Sequence, residues 1–275
     1  MAGRRLTGWV VAVPMAGLAL ATVYPLVFTT NVALKTRREY VLDRFSPAGS
    51  WHWENIAAAW SSVGMARYFL NSVIVVACAV AVLSLFGSMA GFALARLRFR
   101  GSSALFLGVL AALFVPFQVI MVPFARIMAD TGLLDTYPGL VLAYVAQFLP
   151  FTVFLMTSFY AAVPPEIVDA ARIDGNTAYG VYWRIMLPMG APALLSVGVL
   201  NALFCWNDVL ISLLVMPSAD HRTLMVGVTS LRGQYSDDIP VFASGVLIAA
   251  VPVLVVYLFL QRRIADGVTA GATKG

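Results

Sequence analysis

Charge is what this chain has least of. Only 11% of its 275 residues are Asp, Glu, Lys or Arg, against 61% hydrophobic; a soluble domain holds roughly 25% charged and about 45–50% apolar residues. Lysine is nearly missing: Lys35 and Lys274 stand beside 16 arginines. No Gly-x-x-x-x-Gly-Lys-Ser/Thr loop occurs and no lysine follows a glycine-rich run, which excludes ATP binding by that route. The histidines, His52 and His221, are far apart and form no zinc-protease motif. No Gly-x-Ser-x-Gly elbow occurs either. Cys78 and Cys205 lie in apolar runs without metal spacing, so packing is expected of both rather than a disulfide. Asp208 is the one charged residue well inside an apolar stretch, and a lone acid is a poor catalyst. A self-contained enzyme is not expected, and neither a cofactor nor a metal site is indicated.

The lack of charge is organised. No Asp, Glu, Lys or Arg occurs from Leu6 to Leu34, Tyr68 to Ala95, Gly101 to Ala125, Thr136 to Pro165, Ile185 to Asn207 or Ile239 to Gln261. A helix needs roughly 20 apolar residues to cross the hydrocarbon core, and each run is long enough. The runs are too unbroken for barrel strands, which alternate every second residue. The reading is an all-α membrane protein with six transmembrane helices, over about 9–34, 69–95, 103–128, 138–161, 190–216 and 240–261. Arg4 and Arg5 precede the first run, and Ala19-Leu20-Ala21 resembles a signal-peptidase site. The run continues past it to Leu34, so a retained first span is expected.

Six spans put both termini on one side. With the N-terminus inside, the inner segments carry Arg4, Arg5, Arg96, Arg98, Arg100, Arg172, Arg184, Arg262, Arg263 and Lys274, ten against eight outside. The tight turn Arg96-Leu-Arg-Phe-Arg100 is the stronger local signal for a cytoplasmic N-terminus. Trp51, Trp53 and Trp60 then fall in the first outer loop, as interfacial anchors or as contacts for an external partner. Gly87-Ser-Met-Ala-Gly91 would let another helix approach closely. Prolines at 14, 25, 116, 123, 150 and 252 predict kinked spans.

One polar strip interrupts this pattern: PPEIVDAARIDGNTAYGVYWRIMLP, residues 164–188. Pro164-Pro165 stops the fourth span and starts a short helix over 165–174. Glu166 and Asp169 favour its positive end. Ala170 and Ala171 leave its middle bare, and Gly175 suits a left-handed cap. Asn176 or Thr177 caps a second helix with an aromatic side (Tyr179, Tyr182, Trp183), running to about Met186, where Leu187-Pro188 is expected to end it. Physics alone leaves two readings open, an amphipathic loop on lipid headgroups or a knob for a protein socket.

The strip resembles the EAA loop of ABC importer permeases, in which Glu-Ala-Ala is followed after three residues by Gly and later by Leu-Pro. Here it reads Asp169-Ala170-Ala171-Arg172-Ile173-Asp174-Gly175, then Leu187-Pro188, with Asp169 in place of the leading Glu. Trp206-Asn207-Asp208, Arg222-Thr-Leu and the C-terminal Gly267-Val-Thr-Ala-Gly-Ala-Thr-Lys-Gly275 are similar to the carbohydrate-type subfamily, in the order of the maltose-type "G" permease. The resemblance covers essentially the whole chain. It implies a single transmembrane permease domain over 1–275 with a helix-turn-helix coupling loop at 164–188 between helices 4 and 5. It also implies a second permease subunit, a dimer of cytoplasmic ABC ATPase carrying ATP and Mg, an extracytoplasmic solute-binding protein, and a bacterial inner-membrane location.

On that resemblance Glu166, Asp169, Ala170, Ala171, Arg172, Asp174 and Gly175 are the ATPase-coupling residues, and the imported solute is a sugar or sugar derivative. Asn201, Trp206, Asn207 and Asp208 are candidates for the translocation path, with packing between spans as the alternative. Competing functions are a permease of the same superfamily for glycerol phosphate, a glycerophosphodiester or a polyamine, and a stand-alone secondary transporter. The orientation is open to a direct check. A cysteine at Thr177 should react with an impermeant thiol reagent only in inside-out vesicles, and one at Ser50 only in right-side-out vesicles. The reverse pattern would invert the topology.

Overall fold

The computed structural model describes the backbone of residues 2–62, 64–97, 99–234 and 238–272, with side chains between 12 and 233 and between 238 and 259 in those stretches. Every regular element among them is helical. In chain order they are α1 (Ala2–Ala33), α2 (Arg37–Leu42), α3 (Glu54–Ser61), α4 (Met65–Arg96), α5 (Ser102–Ala112), α6 (Phe117–Asp130), α7 (Tyr137–Ala162), α8 (Pro165–Ile173), α9 (Ala178–Val181), a π turn (Tyr182–Met186), α10 (Leu187–Asn207), α11 (Leu210–Val215), α12 (Leu224–Gln234) and α13 (Ile239–Ala272). Five stretches are long and apolar enough to cross a membrane: Ala12–Ala33, Met65–Arg96, Tyr137–Ala162, Ala178–Asn207 and Ile239–Phe259. The bent pair α5 and α6 makes a sixth if taken as one span.

Two of the expected spans are not single helices. The third, expected as one span over 103–128, breaks between α5 and α6 with a bend of 99°. Pro116 caps α6 at φ −67° and ψ 130°. It has no N–H to continue the ladder from α5, and its extended ψ turns the chain. The fifth, expected over 190–216, ends its first helix at Asn207. There the Asp208 carboxylate accepts from the Ile211 N–H at 3.3 Å and the Ser212 N–H at 2.9 Å. A side chain that takes the first-turn donors of a new helix starts α11 rather than continuing α10.

The elements fall into two compact units, Met1–Ala66 with Gly227–Pro252 and Arg67–Val226 with Val253–Gly275. In the first, the end of α1 packs Val32 and Ala33 against Ala243 of α13, with Tyr40 of α2 alongside. Lys35 is fully buried here, its ammonium donating to the Asp43 carbonyl at 2.7 Å and to Ser46 Oγ at 3.1 Å. Asn55 donates to the carbonyls of Ala33 and Lys35, both at 2.8 Å. The loop after α1 is thus stapled to it through buried polar bonds, which a buried ammonium requires. Glu39 closes a reciprocal cap with Thr36, and the hydrogen bonds from Thr36 hold its carboxyl below the usual carboxylate range. Trp51, Trp53 and Trp60 stay exposed on this unit.

In the second unit α4 and α7 run parallel. Asn71 near the start of α4 accepts from the Tyr137 hydroxyl at the start of α7, at 2.7 Å. Arg96 at the end of α4 donates to the carbonyls of Tyr160 and Val163 at the end of α7. Between these ends the glycine pair of α4 faces α7 directly. A Cβ on Gly87 would lie 2.3 Å from Thr152 Cγ2, and one on Gly91 2.9 Å from the Met156 carbonyl carbon. The helix that the GxxxG spacing admits is therefore α7 of the same chain. α10 returns antiparallel, with Asn201 donating to Thr152 Oγ1 at 2.8 Å and Gly190 facing the Tyr160 ring. Of the cysteines, Cys205 packs in the core and Cys78 is exposed, against the expectation that both pack.

Replacing Gly91 by Leu should force α4 and α7 apart and cost about 1–3 kcal/mol or more, as overpacking does. The same change at Gly108, where nothing lies within 4 Å, should be nearly silent. Melting of the purified protein followed by size-exclusion fluorescence compares them directly; equal melting of both variants would contradict the packing described.

Candidate functional site

The polar strip folds as a braced two-helix projection at the α4–α7 carboxyl end. Pro165 occupies the first turn of α8 and Glu166 follows it, an acid at the positive end of the helix without a side-chain cap bond. Val168 and Ala171 point inward, 4% exposed each, into a cluster with Phe92, Met156, Tyr160, Tyr182 and Met186. Glu166, Asp169, Ala170, Arg172 and Asp174 face outward. The alanine pair is therefore split: Ala170 forms a bare exposed spot, whereas Ala171 belongs to the core, because successive helix positions are about 100° apart. Arg172 leans on Asp169 at 3.7 Å, an exposed pair worth little to stability.

Gly175 ends α8 at φ +83°, and the orphan carbonyls are closed by Gly175 N–H to Arg172 O and Asn176 N–H to Ala171 O, both at 3.0 Å. The Asn176 side chain adds a second donor to Ala171 O at 3.1 Å. Thr177 then caps α9, accepting from the Gly180 N–H at 3.3 Å. The expected stop at Leu187-Pro188 is overturned. The chain winds through the π turn into α10, so that 178–207 is one helical stretch. Leu187 N–H bonds Tyr182 O, five residues back. This wider turn shifts the register just before Pro188, relieving both its missing donor and its clash with the preceding turn. The aromatic side is corrected as well: Tyr179 and Trp183 are exposed, but Tyr182 is only 3% exposed.

Ser88 and Tyr160, which sequence reasoning passed over, brace the projection together with Arg96, read there only as an orientation signal. Ser88 of α4 shares a hydrogen bond with Tyr160 Oη at 2.7 Å and accepts from Tyr182 Oη at 3.1 Å, joining α4, α7 and the π turn through one buried hydroxyl. Arg96 caps the last carbonyls of α7 and lies within electrostatic reach of Asp169 and Glu166. The basic turn at 96–100 was legible as an orientation signal; its capping role carried no sequence mark. Arg98 within that turn lies outside the described residues.

The path candidates differ in their surroundings. Asn201 is fully buried, its amide on Thr152 and its Oδ1 without a partner. Trp206 is buried with an edge contact to Phe69 at 5.8 Å. Asp208 is half-buried, with its carboxylate taken by Ile211, Ser212 and the Tyr144 hydroxyl. Asn207 is exposed, its amide donating to the Leu203 carbonyl at 2.8 Å. For Asn201, Trp206 and Asp208 the geometry is that of packing and capping between helices. Of the C-terminal motif, 267–272 continue α13, but their side chains and all of 273–275 lie outside the described residues.

Known proteins agree with this architecture. The family model described as "Binding-protein-dependent transport system inner membrane component" matches residues 83–269. The diacetylchitobiose uptake system permease protein NgcG of Streptomyces coelicolor is 34% identical over 255 residues, covering 92% of this chain and 84% of that one. The arabinooligosaccharides transport system permease protein AraQ of Halalkalibacterium halodurans is 30% identical over 275 residues, with 98% of each chain covered. In structure, the chain is similar to a bacterial ABC transporter involved in the import of alginate, with a TM-score of 0.81 at 20% identity over 95% of this chain and 98% of that one. That likeness carries the fold. The family match over 83–269 and the relatives at 30% identity or above lead to one conclusion: this chain belongs to the binding-protein-dependent transport system inner membrane components, as a membrane permease subunit of an ABC importer and not itself an enzyme.

Proposed function

We propose that the chain forms half of a translocation path for a sugar or oligosaccharide and takes its driving force from a separate cytoplasmic ATPase through residues 164–188. The observation that carries this is the projection itself. It is exposed and charged on its outer face, closed at the end of α8 by Gly175 and Asn176, capped at the start of α9 by Thr177, and tied on its inner face to α4, α7 and α10. A loop merely lying on headgroups has no need of a buried hydroxyl bridge to two helices. In this reading Glu166, Asp169, Ala170, Arg172 and Asp174 present the contact surface to a dimer of ABC ATPase that binds ATP and Mg. Ala171 and Gly175 shape that surface from behind.

The relatives, which take diacetylchitobiose and arabinooligosaccharides, favour a carbohydrate over glycerol phosphate, a glycerophosphodiester or a polyamine. The partners that complete the importer are a second permease subunit and an extracytoplasmic solute-binding protein, in keeping with the family's dependence on one. Both termini are cytoplasmic, with the α8 end of the bundle inside. Asn207, exposed beside the break at Asp208, is this chain's nearest approach to the solute.

Gly175→Pro removes the N–H that closes α8 and forbids a positive φ, and Asp169→Arg reverses the outer charge. Both should abolish uptake while the protein still inserts and assembles in the membrane; Gly175→Asn, which tolerates the left-handed region, should retain it. Wild-type uptake by both disabling variants would sink the coupling role, and uptake that survives loss of the ATPase would point to a secondary transporter. Solute class is tested on the cognate binding protein by calorimetry: saccharides should bind, and selective binding of a phosphodiester or polyamine would overturn that part.

A further inference from the structure

Two hollows at the α8 end of the larger unit lie side by side. The first is an open cleft of about 950 Å³ whose polar walls are Arg96, Arg100, Ser102, Asp169 and Arg172. The second is a trough of about 440 Å³ between α4, α5 and α7, with Ala90, Leu105, Val109, Ala146 and Leu149 among its walls and no polar side chain. Leu94 and Phe99 line both, so the charged cleft and the apolar trough adjoin at these two side chains. The trough lies along helices that form the apolar spans, and the cleft begins where α4 ends, at Arg96. That places the trough at hydrocarbon depth and the cleft at the headgroup level.

The charges in the cleft do not balance. Among the described residues, Arg96, Arg100 and Arg172 face it with Asp169 as the only acid in its walls. Arg96 is held in place by the α7 carbonyls and Arg172 leans on Asp169, whereas Arg100 is exposed and makes no ion pair among the described residues. We propose that this is a binding site for one anionic phospholipid, with its phosphate in the cleft against Arg96 and Arg100 and an acyl chain in the trough. An extended protein segment fits poorly, because its backbone would carry N–H and C=O groups into a trough with no polar partner for them among the described residues. A free phosphate uses only the cleft and leaves the trough unexplained. The excess of guanidinium selects an anionic headgroup over a zwitterionic one. The site depends on the chain's place in a membrane and not on the coupling role of α8. Asp169 and Arg172 in its wall also belong to the proposed ATPase contact surface, so the lipid would border that surface along one edge of the projection.

Native mass spectrometry on the full chain, purified with whatever subunits remain bound, tests this with equimolar phosphatidylglycerol and phosphatidylcholine. The wild type should retain phosphatidylglycerol about fivefold better, the worth of about one arginine at an anionic surface. Arg100→Glu should bring the ratio to about one, and Arg100→Lys should keep most of it. Ala146→Trp, which fills the trough from an exposed position, should lower retention of phosphatidylglycerol without lowering the melting temperature. Millimolar inorganic phosphate should not displace the lipid from the wild type. Equal retention of the two lipids by the wild type, retention unaffected by both Arg100→Glu and Ala146→Trp, or displacement by inorganic phosphate would each overturn the proposal.

Discussion

Gly87 and Gly91 set the distance between α4 and α7, and most of the larger unit is built on that distance. With no side chain at either position, the two backbones meet at Thr152 and Met156. Only at this separation does Ser88, between the glycines, reach the Tyr160 hydroxyl. Only here does the Arg96 guanidinium lie over the last carbonyls of α7. In a membrane, where apolar surface gains nothing from leaving lipid for another apolar surface, close packing and shared hydrogen bonds are what hold helices together. The parallel pair has both.

The projection inherits its rigidity from that pair. Tyr182 completes the bridge to Ser88, Val168 and Ala171 fill the space under α8, and Gly175 turns the chain without leaving an open carbonyl. Past the turn, a helical stretch runs from Ala178 to Asn207, joined across Pro188 by the π turn. It ends at Asp208, where the carboxylate begins α11. Under the proposed coupling role, a push at the exposed face of α8 would pass across the Gly175 turn to one continuous helical stretch that ends at the break before Asp208.

Much of this was legible in the chain. Charge-free runs locate the long helices because a lipid-facing backbone must satisfy its own hydrogen bonds. Gly175, Pro165 and Thr177 occupy the cap positions their chemistry suits. The glycine spacing in α4 signalled a close approach, though not to which helix. What stayed hidden depended on partners distant in sequence. Ala170 and Ala171 are identical on paper, and only the position of Phe92 and Tyr160 makes one of them core. Leu187-Pro188 reads as a stop unless a π turn intervenes, and nothing local announces one. Asp208 reads as a lone acid in a greasy run until the backbone breaks behind it and supplies its donors.

Coupling of this kind requires the projection and α10 to move as one body. Spin labels at Tyr179 and Leu200, both exposed, are separated by about 32 Å along a continuous helix. Double electron–electron resonance in the assembled importer should give a single distance near that value, the same without nucleotide and with ATP trapped. A distance that shifts by several ångströms or splits in two between those states would make the π turn a hinge and contradict the rigid connection.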